Sequence, residues 1–369
     1  MILFSSIIKQ FGSDFLKQYS GRILPSHRLA LSVMNVCRTQ HSPRMLAGCT
    51  ECDHQMLVPH SCGHRNCPHC QAHESQQWLE RQLQKQVPAE YFLLTFTLPG
   101  EFRPLAWRHQ RTLYSLMIQC CWETVRTFSE NDPQLQGTPG AISVLHTHSR
   151  RLDFHPHVHL VIPAAAIDAT KKLWRTKSKV KVKTKGKTET GYLFNHKALA
   201  KVFRAKMLDA ITQASLVLPA SYPEKWVVDC KSVGAGGKAL IYLGRYLYRG
   251  MVQEKDIVAC KDGKVTFRYE NSKTKLLEYK TVTGAKFLWL ILQHVLPKGF
   301  RRARNFGFLH PNSKRLISLL QLLFKLDLNR ALAWVKKRPQ WVCPCCGAKM
   351  KIIETRLPPL FSFTRRPPT

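Results

Sequence analysis

His155-Pro156-His157-Val158-His159-Leu160-Val161-Ile162 is the stretch on which the reading of this chain turns. The unbroken apolar run after His159 predicts a buried β-strand. On a strand, residues i and i+2 point to one face, so His157 and His159 stand side by side. That is what a metal site on a sheet requires. Alone, the motif is weak. The chain has 16 histidines, and a pair of core or surface histidines is the competing reading.

The neighbouring segments give the motif a context. Residues 91–98 (YFLLTFTL) predict a strand stopped by Pro99-Gly100. Residues 105–128 predict a helix, with Leu113, Leu116, Met117, Cys120 and Val125 at three-and-four spacing. Two strands, 141–148 and 155–162, follow as a hairpin. A helix over 199–216, a strand over 226–233 and a helix over 238–248 complete the order. Without the insert 163–195, this is β-α-β-β-α-β, an α+β fold with the ferredoxin-like split βαβ arrangement. The strand carrying the histidines is central in that topology, where polar side chains need partners.

The chain has 369 residues, enough for two or three domains. It carries 57 Lys and Arg against 23 Asp and Glu, a formal charge of +34. A polyanionic partner follows, and the spread of the charge favours nucleic acid over a membrane surface. Residues 1–8 are apolar but too short for a secretory signal, and the apolar run 287–292 is too short to span a bilayer. A cytoplasmic protein with no membrane partner is expected. Within the insert, residues 171–187 hold nine Lys or Arg and no acid, with basic residues at alternate positions from Arg175. That predicts an exposed β-ribbon or an arm that contacts DNA.

The 13 cysteines lie mostly in clusters with Cys-x-x-Cys spacing, which in a basic chain without an export signal points to zinc. Cys49, Cys52, Cys67 and Cys70 form two such turns fourteen residues apart and predict one structural zinc site. Cys62, His60, His64 and His69 are alternative ligands in the same segment. Cys343 and Cys346 are candidates for a second site, with the remaining ligands drawn from a distant segment or another chain. Arg44 and Arg65 would be displayed on the zinc-held knob.

In the helix over 238–248, Tyr242 and Tyr246 are i and i+4 and share a face. An aromatic pair in a helix interface is the ordinary reading. The alternative is a pair of nucleophiles. A phenol is a weak nucleophile at neutral pH, and a histidine-bound metal that polarises a phosphate compensates for this.

Several stretches occur together and in order: SCGHRNCPHCQ, YFLLTFTLPGEFR, HPHVHLVIP, YLGRYLYRG, and VTFRYENSK with HVLPKGFRRARNFGFL. In these the chain resembles the HUH single-strand endonucleases, and most closely the two-tyrosine transposases of the insertion sequence 91 family. The resemblance spans roughly residues 40–320. It implies an N-terminal zinc-binding domain, an HUH nuclease core and rolling-circle transposition through single-stranded DNA. It places a divalent metal, magnesium or manganese, on His157 and His159, and the nucleophiles at Tyr242 and Tyr246. Tyr248 lies off the shared face and is not counted. For a third ligand, a hairpin turning at Arg151-Leu152 puts His146 opposite His157 and His148 opposite His155. His146 is preferred and His155 is the runner-up, a choice that a one-residue slip would reverse.

The expected organisation is a helical and zinc-binding domain (1–88), the nuclease core (89–250), a basic α/β extension (251–335) and a cysteine-rich tail (336–369). Arg245, Lys298, Arg301, Arg302 and Arg304 are candidate phosphate contacts. The partners implied are element ends and target DNA, with oligomeric state left open. Two other readings remain: a replication initiator or relaxase of the same chemistry, and a noncatalytic zinc-finger nucleic-acid-binding protein. YLGRYLYRG and HVLPKGFRRARNFGF argue against the first.

Overall fold

The computed structural model describes residues 2–67, 70, 72–168, 170–171, 173–177, 181–184, 187–190, 193–248, 251–271, 274–326 and 340–358, the side chains of 72, 73, 181–184, 187–190, 245, 246 and 248 excepted. Helices α1 (Phe4–Gln18) and α2 (Pro25–Asn35) precede a hairpin of β1 (Arg44–Cys49) and β2 (Gln55–Pro59), then α3 (Ala72–Leu83). The central region runs β3 (Tyr91–Thr97), α4 (Arg103–Arg108), α5 (Gln110–Glu130), β4 (Thr138–His148) and β5 (Phe154–Pro163). The helix expected over 105–128 is therefore two helices, broken at His109, where φ is −120° and ψ 45°.

The insert forms β6 (Ala165–Asp168), β7 (Leu173–Thr176) and a separate two-stranded ribbon, β8 (Lys181–Thr184) with β9 (Lys187–Thr190). Then come α6 (His196–Gln213), β10 (Val227–Ser232) and α7 (Gly237–Tyr248). A three-stranded sheet of β11 (Ile257–Lys261), β12 (Lys264–Glu270) and β13 (Leu277–Thr283) leads into α8 (Gly284–Leu292). The chain closes with β14 (Ala303–Gly307), α9 (Lys314–Leu323) and β15 (Met350–Leu357).

The main sheet has the order β10-β3-β5-β4-β6-β7, with β14 also on β4. The pairs β10·β3, β3·β5 and β4·β5 are all antiparallel, so β5 lies inside the sheet. Strand alternation divides its side chains between two faces. Leu94, Phe96, Val158, Leu160 and Leu145 pack with Met117 of α5 and Phe203 and Met207 of α6. Tyr91, Ile142, Val144 and Val161 pack on the other side with Trp78 of α3 and Leu240, Leu243 and Leu247 of α7. Each buried Leu or Val contributes about 2 kcal/mol. A one-residue slip of β5 would exchange the faces, so burial fixes the register.

The N-terminal helices and the 251–295 segment share one core. Phe4, Ile7, Phe11 and Phe15 of α1 pack with Val265, Phe267, Phe287 and Ile291. The divisions expected at 88 and 250 thus do not separate independent cores here. β14 returns to the main sheet, and Phe308, Leu309 and Ile317 join the α7 side.

Candidate metal and nucleophile site

His157 and His159 lie on the α7 face of β5, continuing the row of Val161. Across the ladder, His157 faces His146 and His159 faces Val144. On the other side, His159 faces Thr95 and His157 faces Thr97. The ring centroids are 4.3 Å apart for His146–His159, 5.0 Å for His157–His159 and 5.1 Å for His146–His157. One ligand nitrogen from each ring lies within 4.8 Å of the other two.

The tautomers suit metal binding. His157 Nδ1 is 2.7 Å from the His155 carbonyl, which only accepts, so Nδ1 carries the proton and Nε2 keeps its lone pair. His159 Nδ1 is 3.0 Å from Thr95 Oγ1, which can hold that ring in the same way. Burial lowers the pKa of His157 to about 4 and of His159 to about 3, and drives His146 well below its ordinary value, with the neighbouring imidazoles adding to the effect. All three rings are therefore neutral donors at pH 7.

His155 is placed differently. The Arg103 guanidinium donates to its Nδ1 at 3.1 Å. The structure brings His146, and not His155, into the group with His157 and His159. The hairpin turn departs from the expected register. Leu152 takes φ 65° and an irregularity falls between His146 and His148, so His148 faces Phe154 rather than His155. The extra residue is absorbed beyond His146, which leaves the His146–His157 pairing intact.

Helix α7 presents Tyr242 to this group. Gly236, just before the helix, takes φ +80°, and a Cβ there would come within 2.7 Å of the Tyr91 ring. Only glycine fits that turn. Ser75 Oγ of α3 donates to the Gly244 carbonyl at 2.9 Å and holds the helix from its other side. Leu240, Leu243 and Leu247 form the buried stripe, while Tyr242 is 44% exposed at its margin. Its ring centroid is 6.2 Å from His159 and 6.5 Å from His146. Desolvation raises the phenol pKa and the Arg150 guanidinium opposes the shift. A cavity of about 460 Å³ opens beside it, lined by His148, Arg150, Tyr242, Phe267, Arg268 and Tyr269 among others. Arg245 and Tyr246 lie in the backbone of α7, but their side chains are outside the described residues.

The expected basic clamp divides in two. Lys298 and Arg301 are exposed. Arg304 donates to Ser115 Oγ at 3.1 Å and lies 5.6 Å over the Phe300 ring. Arg301 and Arg304 line a groove of about 770 Å³ with Arg81, Lys85 and Arg111. Arg302 does not belong to that surface. It is only 8% exposed, and its charge acts on His146 and His148 inside the molecule. The reason is position: Leu145 N donates to the Arg302 carbonyl at 2.8 Å, which seats the residue against β4. Of the two arginines expected on the zinc knob, Arg65 donates to the Phe300 carbonyl and Arg44 to the Pro358 carbonyl.

The cysteines group differently from the sequence expectation. Cys67 and Cys70 meet Cys37 and Cys62, whereas Cys49 and Cys52 meet Cys343 and Cys346. Cys49 and Cys52 sit at the tip of the β1–β2 hairpin, and β15 pairs with β1, carrying the distant pair to that tip. The first group has Sγ–Sγ separations of 3.5 Å (Cys37–Cys70 and Cys62–Cys70) and 3.6 Å (Cys37–Cys67). Four thiolates at 2.3 Å from a tetrahedral zinc would stand ~3.8 Å apart, close to these values. Sequence reasoning missed Cys37 and Thr95. Cys37 has no Cys-x-x-Cys partner. Thr95 was marked only by being, with Thr97, one of two polar residues in a strand of apolar ones.

Comparison with known proteins bears on this arrangement. Residues 7–98 match the family model described as "Transposase zinc-binding domain", of the insertion sequence 91 type, and residues 140–316 match one described as "Putative transposase". The chain is 27% identical over 331 residues to "Putative transposase y4qJ" of Sinorhizobium fredii, covering 83% of this chain and 79% of the relative. It is 26% identical over 265 residues to the transposase for insertion sequence element IS801 of Pseudomonas savastanoi pv. phaseolicola, covering 70% of this chain and 63% of that protein, less than two thirds of its length. A solved metal-free structure of the conjugative relaxase TrwC with oriT DNA aligns over 64% of this chain and 72% of its own at 12% identity, with a TM-score of 0.24, too low to bear on the fold. Among the described residues, no helix is long and apolar enough to cross a membrane. The chain belongs to the insertion sequence 91 family of transposases and carries that family's N-terminal zinc-binding domain.

Proposed function

We propose that the protein cleaves and rejoins single-stranded DNA at element ends, with Tyr242 as the attacking group and His146, His157 and His159 as the metal-binding set. The observation that carries this reading is the convergence of three neutral imidazoles with a tyrosine whose ring is 6.2 Å from His159. The order β10-β3-β5-β4 agrees with a split βαβ core of the HUH kind, with the histidines on an inner strand. The fit to a divalent cation rests on the donor set: neutral nitrogen ligands, and no carboxylate in the group. Nitrogen donors favour manganese over magnesium, which prefers oxygen. When bound, such a cation polarises the scissile phosphate.

The chain's own residues supply the rest. The Tyr242 oxygen attacks phosphorus in line and the bond to the 3′ oxygen breaks. The proton lost by the phenol is balanced by one gained at the freed 3′ hydroxyl. The 5′ phosphate remains esterified to the tyrosine, which conserves the bond for rejoining to another 3′ end. Arg150 offsets part of the desolvation that disfavours the phenolate. Tyr246, one turn on, is the second nucleophile in this reading and allows a second transfer before the first strand is released. Lys298, Arg301 and Arg304, with Arg245, hold phosphates and carry no sequence information themselves. In the zinc-binding domain, the metal sits on Cys37, Cys62, Cys67 and Cys70.

The test is cleavage of an end-labelled oligonucleotide carrying an element end, as a single strand and as a duplex, with and without Mn²⁺. Cleavage of the single strand alone, and only with the cation, is the expected result. Cleavage of the duplex at an equal rate would remove the single-strand assignment. Binding without cleavage on either form would favour a noncatalytic DNA-binding protein.

A further inference from the structure

We infer that the protein holds a second structural zinc, on Cys49, Cys52, Cys343 and Cys346, which ties the C-terminal segment to the zinc-binding domain. Nothing in the family domain over residues 7–98 contains the second half of this site, since Cys343 and Cys346 lie far outside it.

The four sulfurs have a tetrahedral thiolate spacing. Sγ–Sγ separations are 3.4 Å for Cys49–Cys346, 3.6 Å for Cys52–Cys346 and 3.7 Å for Cys52–Cys343. Zinc–sulfur bonds of 2.3 Å imply ~3.8 Å. A disulfide would bring two sulfurs to ~2.05 Å and leave the other two without a role.

The backbone is built for the same purpose on both sides. Cys49 N donates to the His54 carbonyl at 2.9 Å, and Cys343 N donates to the Ala348 carbonyl at 2.7 Å. Each Cys-x-x-Cys turn is thus closed by a bond from its first cysteine to the residue five positions on. Glu51 N donates to Cys49 Sγ at 3.4 Å, the contact that stabilises a thiolate in such a turn. Gly347 follows Cys346 at φ +74°, a conformation that favours glycine. The two turns cap two hairpins: β1–β2, and the Val342–Lys349 bridge leading into β15. Pairing of β1 with β15 sets the hairpins side by side, with Cys49 opposite Met350 and Thr50 N donating to the Lys349 carbonyl. Two equivalent turns thus meet across the pair with their sulfurs between them.

The packing beneath is slight. Among the described residues, the hydrophobic cluster there has Ala47, Cys343 and Met350 as its buried members, with Cys49 and Cys52 beside them. Such a cluster is too small to hold two chain segments together in water, whereas four thiolates on a cation are not. The odd thiol, Cys345, is exposed and outside the group.

The experiment is zinc stoichiometry of the full chain by native mass spectrometry, supported by atomic emission. Wild-type protein is expected to carry about two zinc ions per chain, each on four thiolates. Cys343→Ser/Cys346→Ser should carry about one and keep the protease resistance of residues 91–310. Cobalt substitution should show tetrathiolate absorption that falls to about half in this variant and likewise in Cys49→Ser/Cys52→Ser. A wild-type content of one zinc per chain overturns the inference whatever the variants do. So does a Cys343→Ser/Cys346→Ser protein that retains the wild-type content. Neither result depends on DNA cleavage, so failure here and failure of the nuclease reading are separable.

Discussion

The histidine centre and the cysteine centres are both proposed cation sites, but they differ in what holds the candidate ligands. His146, His157 and His159 stand on adjacent strands of a seven-stranded sheet, locked by a ladder and a core on both faces. The ligands are in place because the sheet is. Cys49, Cys52, Cys343 and Cys346 stand on hairpin tips over a minimal core, so a metal bound there would supply the fold. Cys37, Cys62, Cys67 and Cys70 are intermediate: three of the four are buried against the core shared by α1, α2 and α8. A preformed site suits a cation that meets substrate. A site formed by its metal suits a permanent one.

The largest expected effect follows from that contrast. Stripping zinc with a strong chelator should cost on the order of 10 kcal/mol at the cysteine centres. Proteolysis should then open the 37–70 and 340–358 segments together. Removing the divalent cation from the histidine centre should lower Tm only by the loss of ligand linkage. A chelated protein with unchanged protease resistance in both segments would break the comparison.

Within the histidine centre, His146→Ala should weaken Mn²⁺ binding by about 100-fold or more, measured by calorimetry. Thr95→Val, which removes the partner of His159 Nδ1, should weaken it by about 10-fold. His155→Ala should change it little, because its Nδ1 is engaged by Arg103. Equal losses for His146→Ala and His155→Ala would mean that the triad is drawn wrongly.

Why some of this was readable in advance is visible in particular residues. His157 and His159 are two apart on one strand, and strand parity needs no distant information. Their pairing with His146 followed from the hairpin, and held because the irregularity falls beyond His146. His148 sits past it, and its partner depended on a left-handed Leu152 that no apolar pattern announces. The partners of Cys49 and Cys52 were not readable because they are closed by contacts about 290 residues apart, through β1·β15, and Cys37 reaches Cys67 and Cys70 across about 30 residues with no Cys-x-x-Cys spacing of its own. Spacing showed which cysteines make turns but not which turns meet. Arg302 looked like its neighbours in a basic run, and only the seating of its carbonyl on Leu145 N separates it from them.

Acid should test the packing between regions. His27 is fully buried against Trp107 and Trp289, and burial lowers its pKa to about 4 from an ordinary 6.5. Between these values the unfolded chain binds the proton and the folded chain does not. Stability from this group is complete above pH 6.5 and falls as pH drops toward 4, by roughly 3 kcal/mol. Urea unfolding of wild type and His27→Phe across this window should show a shallower slope in the variant. Identical slopes would remove His27 as the cause.

The smallest effect is expected at the groove. Arg301→Gln and Arg304→Gln should each weaken single-stranded DNA binding uniformly across sequences and reduce the salt slope by about 0.7. A change in sequence preference instead would mean that these side chains read bases.

The central claim is that Tyr242 attacks the phosphate held at the histidine centre. Its most direct test is denaturing electrophoresis of protein incubated with Mn²⁺ and a single-stranded element end, followed by mass spectrometry of the protein–DNA adduct. The account predicts a denaturant-stable adduct in which Tyr242 carries the 5′ phosphate, with Tyr246 labelled in Tyr242→Phe only at a reduced rate. An adduct formed by Tyr242→Phe at the wild-type rate, or one mapped to a residue outside α7, would contradict it.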